Sequence, residues 1–268
     1  MPKRHIDRST VMGVLLAVFG IVAGLLLDGG SVKQIIQPTA ALIVLGGTLG
    51  AIMIQFPLHT VREAMGEMRH VLVDTKPLSP DFVEELVGWC LTVRRNGMLA
   101  LDPHLNDIKD PFLRKSLTFA VDGIAVRELR EMMEIDLTIH EEREESVTKV
   151  LEAAGGFAPT LGIIGAVLGL IQVMQRMDNV GEIGKGIAVA FVSTLYGIGV
   201  ANLFFIPLAG KLKIRMRERQ VVREMTLDSV ISIVEGISSR ALRQRLQSYL
   251  VEQRAVVAAQ AAPEMAVP

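Results

Sequence analysis

Apolar residues in this chain gather into four long runs separated by charged stretches. The run Ala153 to Met174 reads AAGGFAPTLGIIGAVLGLIQVM, and Gly186 to Gly210 reads GIAVAFVSTLYGIGVANLFFIPLAG. Each is long enough to cross a bilayer, which takes about 20 mainly apolar residues. Neither contains Asp, Glu, Lys, Arg or His. Two earlier runs, Ser9 to Leu27 and Ile35 to Phe56, are joined by a short turn holding Asp28, Gly29, Gly30 and Lys33. The pattern predicts four transmembrane helices, over about 9–27, 35–56, 153–174 and 186–210.

The intervening charged stretch also reads as helix. Val61, Met65, Met68 and Leu72 recur at helical spacing. Ser79-Pro80 predicts a capped start for a helix over 81–95, since proline suits the first turn. Asp110-Pro111 starts another helix, to about Val121, and Val126 to Leu151 is a long, charge-rich one. Beyond the fourth run, Val221, Val222, Met225, Val230, Ile231, Ile233, Val234 and Ile237 predict an amphipathic helix that packs on the loop helices. No useful alternating strand pattern occurs. The expected fold is therefore an all-α membrane protein. It comprises an N-terminal transmembrane hairpin (1–56), a cytoplasmic helical domain (57–152), transmembrane helices three and four (153–210), a C-terminal cytoplasmic helix (211–254) and a flexible tail (255–268).

Composition agrees with segregated apolar and aqueous parts: 50% of the 268 residues are hydrophobic, yet 21% are charged. A net charge of −1 gives no general bias toward nucleic acid. Lys and Arg cluster at Lys3, Arg4 and Arg8, at Arg62 and Arg69, and at Lys211, Lys213, Arg215, Arg217 and Arg219. By the positive-inside rule both termini and the long loop face the cytoplasm. The first run is too long for a signal peptide's apolar region, lacks a convincing A-x-A site, and is followed at once by a second run. The single Cys90 excludes an internal disulfide and a thiolate metal cluster. His140-Glu141-Glu142-Arg143-Glu144 fails the H-E-x-x-H pattern, and no phosphate loop, nucleophile elbow or dinucleotide fingerprint occurs, so no enzymatic constellation is expected.

In span three, Gly162, Gly165, Ala166 and Gly169 allow close helix approach. They read equally as packing within one polypeptide and as a lining in an oligomer. Pro159 removes a backbone donor from that span. In span four, Ser193, Thr194, Tyr196 and Asn202 are the polar residues before Pro207. A hydroxyl there either bonds back to a carbonyl one turn earlier or, with Gly186, Ala190 and Gly197 nearby, belongs to a polar stripe along a hydrated path. In the loop, Arg94 and Arg95 precede an apolar turn closed by Asp102; such a charge cluster is either a solvated face or a docking site.

Taken together, GGFAPTLGIIGAVLGLIQVMQ, GKGIAVAFVSTLYGIGVANLFFIP and RRNGMLALD resemble the A subunit of the bacterial flagellar stator, the MotA/PomA family, related to the ExbB/TolQ proton channels. The likeness covers nearly the whole chain. It implies an inner-membrane homopentamer around two B subunits, each with a transmembrane aspartate and a peptidoglycan-binding domain. Ion flow through that assembly would turn the ring and drive the rotor switch protein. The family's functional prolines fall on Pro159 and Pro207, its ion-path threonine on Thr194, and its rotor-contacting charges on Arg94 and Asp102, with Arg95 adjacent and an acidic loop residue on Asp136. No cofactor is implied. The transported ion is expected to be H+, with Na+ the alternative, because sodium-type members tend to have a threonine where this chain has Ala166. A missing hydroxyl removes one oxygen ligand for desolvated Na+. Near the C-terminus the chain departs from the family, with Glu235-Gly236-Ile237-Ser238-Ser239-Arg240 where relatives often have Asn-Pro before the arginine. The rival readings are an ExbB/TolQ-like energiser of envelope processes, against which the early hairpin argues, and a non-conducting membrane scaffold.

Overall fold

The structure, a computed structural model, describes residues 5–6, 8–71, 73–74, 80–177 and 180–249. Ser79, expected to cap a helix, and the tail over 255–268 lie outside the described residues.

Four helices among the described residues are long and apolar enough to cross a membrane. The first, Arg8–Leu27 (α1), is stopped by Gly29, whose φ of 77° suits a residue without a β-carbon. Gly30 N–H donates to Leu25 O and Gly29 N–H to Leu26 O, so two otherwise orphaned carbonyls are satisfied. Ser31 then starts the four-residue helix Val32–Ile35 (α2) with a capping box: its hydroxyl accepts from Lys33 N–H while Gln34 accepts from Ser31 N–H.

Span two begins at Pro38, three residues later than the apolar run suggests. Proline pushes the residue before it out of the helical region, and Gln37 accordingly sits at φ −126°, ψ 98°. The helix Pro38–Gln55 (α3) contains a π-helical stretch, Leu42–Gly46. Thr48 Oγ1, buried, donates to Val44 O at 2.6 Å just beyond that stretch. An amphipathic helix, Leu58–Val71 (α4), follows with Thr60, Val61 and Ala64 buried. A two-residue strand pair, His5–Ile6 with Val73–Asp74 (β1 and β2), is the one β element among the described residues.

The helices between spans two and three include Pro80–Asn96 (α5), a 3-10 run Met98–Asp107, and Pro111–Val121 (α6). Asp110 caps α6 by accepting from Leu113 N–H at 2.7 Å, and Pro111 takes the first helical position, where its missing donor costs nothing. The next helix, Val126–Gln175 (α7), runs 50 residues without a break. The sequence suggests a loop helix followed by a separate span. Ala153, Ala154, Gly155 and Gly156 at the junction provide neither a cap nor a stop, so one helix continues through both.

The helix that carries span four starts ahead of the apolar run, as Val180–Val200 (α8) with Glu182 and Lys185 in its first turns, passes a π-helical stretch, Ala201–Phe205, and continues as Ile206–Val234 (α9). The expectation of one C-terminal helix is corrected. Gly236 (φ 80°) ends α9, with Ile237 N–H bonding Ser232 O and Gly236 N–H bonding Ile233 O. Ser238 Oγ then accepts from Ala241 N–H, and a further helix (α10) covers 239–249. The departure from the family over 235–240 is therefore a closed helix-to-helix corner.

The chain divides into two compact units, Met1–Thr75 with Glu145–Lys213, and Lys76–Glu144 with Ile214–Pro268. In the first, span two packs on spans three and four. Span one keeps its apolar side chains exposed, with none of its residues buried. The second is built on one apolar core in which Leu86, Leu101, Leu113, Leu117, Leu129, Met133, Met225, Ile231, Leu242 and Leu246 are almost fully buried. At about 25 cal/mol per Å2 of apolar surface removed from water, leucines and methionines of this kind contribute roughly 1.5–3 kcal/mol each. Arg243 pairs with Glu84 at 2.7 Å and Arg245 with Asp228 at 2.6 Å, fixing the rotation of α10 on that core.

Candidate functional site

Spans three and four meet along a seam of small residues. A β-carbon on Gly162 would stand 2.9 Å from Ser193 O, and one on Gly169 2.8 Å from both Ala190 N and Gly186 O. One on Gly197 would stand 2.5 Å from Ala158 O. These are main-chain contacts that no side-chain rotation relieves, so the seam admits only hydrogen at these positions. Gly165 and Gly169, two of the candidate site residues, are thus buried within one chain. Gly186, Ala190 and Gly197, expected beside a polar stripe, belong to the same packed seam.

The polar groups of span four fall into separate environments. Thr194 is half-buried at the edge of the seam, its Cα 3.3 Å from the Gly162 β-position, and its hydroxyl donates to Ala190 O at 3.3 Å. Asn202 is exposed and donates to Ile198 O at 2.9 Å. Both bond back one turn, the arrangement that lets a polar side chain sit in hydrocarbon. Ser193 is fully buried against Gly165, and its Oγ has no hydrogen-bond partner. Tyr196 reaches out of the span: its OH donates to Ile35 O at 2.7 Å and accepts from Gln37 N–H at 3.4 Å. It ties span four to the start of span two, a tether that a 161-residue separation hides in the sequence. Ala166 is half-buried on span three.

The two prolines act differently on their helices. Pro159 is half-buried inside α7, and the helix runs through it. The carbonyl that loses its donor there belongs to Gly155, whose β-position is 2.7 Å from Ile206 Cγ1. Pro207 is exposed and lies one residue beyond Ile206, which caps the π-helical stretch 201–205 by donating its N–H to Ala201 O. Such wide turns absorb a missing rung of the ladder. Pro207 was the available signal for this bulge; Pro38 offered none for the one in span two.

The loop charges sit elsewhere. Arg94 and Arg95 lie exposed on the last turn of α5, where basic side chains suit the negative end of the helix dipole. Gly97, with φ 84°, turns the chain into the 3-10 run that carries exposed Asp102, while Leu101 beside it is fully buried. None of these three charges takes part in an ion pair among the described residues. Asp136 differs: it lies on α7 and pairs with Lys115 of α6 at 2.7 Å. Beneath the corner, Cys90 is buried and its thiol donates to Ile237 O at 3.5 Å; burial raises its pKa, and nearby Arg94 offsets part of that rise. Sequence reasoning missed Glu144, which pairs with Arg219 at 3.5 Å and Arg223 at 3.1 Å and joins α7 to α9.

Among the described residues no group of three or more His, Cys, Asp or Glu could hold a metal ion. The chemistry of spans three and four is a set of hydroxyls, the Tyr196 phenol and the carboxamides of Gln172 and Asn202 between apolar walls.

Comparison with known proteins assigns this architecture. The profile described as the MotA/TolQ/ExbB proton channel family matches residues 104–225, and the one described as the Motility protein A N-terminal region matches residues 11–95. Motility protein A of Bacillus subtilis (strain 168) is 34% identical over 248 residues, covering 91% of this chain and 91% of that protein. The structure of C. jejuni MotAB superposes with a TM-score of 0.84 at 30% identity, covering 91% of this chain and 96% of the other. The flagellar MotAB stator complex from Bacillus subtilis gives 0.83 at 33% identity, covering 93% and 98%. The chain belongs to the MotA/TolQ/ExbB proton channel family, as one of its flagellar stator members.

Proposed function

We propose that this chain forms the wall of an ion path and that a B subunit contributes the carboxylate that travels along it. The observation that carries the reading is the absence of any Asp, Glu, Lys, Arg or His from the apolar runs 153–174 and 186–210 of spans three and four, beside a half-buried Thr194 hydroxyl. A wall of this kind cannot hold a proton itself. It can accommodate a partner's acid group in two states. Deprotonated, the carboxylate is costly in hydrocarbon and seeks the hydroxyl of Thr194. Protonated, it passes along apolar surface.

Inward movement of one charge gains about 2.3 kcal/mol per 100 mV, several times thermal energy. That suffices to bias a rotation step while leaving the packed seam intact. In this reading both termini and the long loop are cytoplasmic, and five copies surround two B subunits. The exposed apolar face of span three, including Ile163, Ile164, Val167, Leu168 and Ile171, supports assembly because it needs apolar neighbours. Ala166, Pro159, Pro207, Ser193, Tyr196, Asn202, Gly165 and Gly169 position the wall. Arg94, Arg95, Asp102 and Asp136 face the rotor switch protein.

Thr194→Val tests the site. Swimming of cells relying on this stator falls to a small fraction of wild type while the A–B complex still purifies intact; normal swimming would remove Thr194 from the path. The ion is H+, favoured by Ala166. Swimming speed at fixed membrane potential is then flat across external Na+, and a speed that tracks Na+ would contradict the assignment.

A further inference from the structure

Thr160 is the only Ser, Thr or Tyr of the span-three run 153–174. Unlike Ser193 and Thr194, it is exposed. At about 100° per residue it stands about 200° around the helix from Ala158 and Gly162, which face span four. It therefore belongs to the outward stripe of Ile163, Ile164, Val167 and Ile171, all exposed. One turn earlier on that stripe, Gly156 is exposed and a β-carbon there meets nothing within 4 Å, so the apolar wall has a notch beside the hydroxyl. Depth follows from the seam. The Gly162 β-position is 3.3 Å from Thr194 Cα, and the Gly197 β-position is 3.2 Å from Pro159 Cα. Thr160 and Thr194 thus stand at one level on different faces of the span three–four pair.

The two hydroxyls differ in what they can still offer. A threonine hydroxyl has one proton to donate and two lone pairs that accept. Thr160 Oγ1 donates to Phe157 O at 2.8 Å, an ordinary O–H···O length, so its proton is engaged and its lone pairs are left to accept. The Thr194 back-bond, at 3.3 Å, is long and gives up its proton to a better acceptor more easily. A carboxylate only accepts, whereas a protonated carboxyl has an O–H to donate.

We propose that Thr160 is the station of the protonated carboxyl, as Thr194 is that of the charged one; this rests on the reading that a B-subunit carboxylate travels along the wall. The acid O–H donates to Thr160 Oγ1 while the neutral form crosses the outward face of span three. Without that acceptor the O–H would be stranded among isoleucines and valines, which is costly. When the carboxyl loses its proton it has nothing left to donate to Thr160, and the hydroxyl proton of Thr194 becomes the better partner. Thr160 itself gains and loses no proton. The group that titrates here is the partner's carboxyl. The apolar runs of all four spans hold no Asp, Glu, Lys, Arg or His, and the Tyr196 phenol is turned to Ile35 and Gln37. Glu152, the nearest acid along the chain, lies eight residues away, about 12 Å along the helix axis.

The test is proton flux through the A–B complex in liposomes at a fixed imposed potential, with the pH varied equally on both sides. Flux falls as rising pH strips the carboxyl of its proton, and the midpoint of that fall is the readout. Thr160→Val removes the hydroxyl and keeps the shape. The neutral carboxyl then lacks one hydrogen bond, so half-maximal flux needs about fivefold more protons, a midpoint shift of about 0.7 unit toward acid. Thr160→Ala shifts it the same way and serves if the valine complex does not assemble. Thr160→Ser keeps the wild-type midpoint. A role in packing alone lowers the flux and leaves the midpoint in place. An unchanged midpoint in the hydroxyl-free variant therefore overturns the proposal. A shift toward alkaline pH overturns it too, because the hydroxyl would then serve the charged form. Flux that survives changing the B subunit's membrane aspartate to asparagine overturns the underlying reading and the proposal with it. Where flux does need that aspartate, the Thr160 midpoint judges the proposal by itself.

Discussion

At Gly162 a single hydrogen decides whether two helices can touch. Its β-position lies 2.9 Å from a carbonyl oxygen and 3.3 Å from the Cα atoms of Thr194 and Gly197. Gly162→Val must separate the spans, and overpacking of this kind costs about 1–3 kcal/mol. The expected outcome is a lower melting temperature of the detergent-solubilised complex and less complex in the membrane. Gly20→Ala, at a position where a β-carbon meets nothing within 4 Å, leaves both unchanged. Equal behaviour of the two variants would mean the seam opens in the assembled protein. Thr194 sits on the same seam, so its hydroxyl is held by a backbone that has no room to shift. Its back-bond to Ala190, at 3.3 Å, is long enough to be exchanged for a better partner.

The corner made by α5 and the 3-10 run presents charges from a buried base. Leu101, Leu105 and Cys90 are locked in the core, while Arg94, Arg95 and Asp102 project without ion pairs among the described residues. Under the proposed function Arg94→Glu weakens coupling to the rotor, seen as lost or slowed swimming, while proton conductance of the reconstituted A–B complex stays at the wild-type level. Loss of conductance would place Arg94 in the channel's support. Asp136 is less available, since its pairing with Lys115 must first be given up, although a pair this exposed is worth at most about 1 kcal/mol.

These elements also mark what the chain's pattern reveals. Apolar runs locate the four spans, and Asp110-Pro111 locates α6, because burial and capping act over a few neighbouring residues. Four features were not legible. The 50-residue continuity of α7 follows from the lack of a stop at Gly155-Gly156, an absence that composition does not separate from a loop. The tether from Tyr196 to Ile35 and the Glu144–Arg223 pair join residues far apart in sequence. The assignment of Gly162, Gly165 and Gly169 to an internal seam depends on knowing which helix faces them.

For the molecule as a whole, the division of labour is electrostatic. The four apolar runs, 9–27, 35–56, 153–174 and 186–210, contain no Asp, Glu, Lys, Arg or His, whereas the charged residues are carried outside them. In the proposed reading the membrane part receives a moving charge and the aqueous part transmits the resulting force. The direct measurement is proton flux into liposomes under an imposed potential, with the chain reconstituted alone, with a B subunit, and with that B subunit's membrane aspartate changed to asparagine. Flux confined to the second preparation is the predicted result. A robust, selective proton current from the chain by itself would contradict the account, because the wall would then need no carboxylate from a partner.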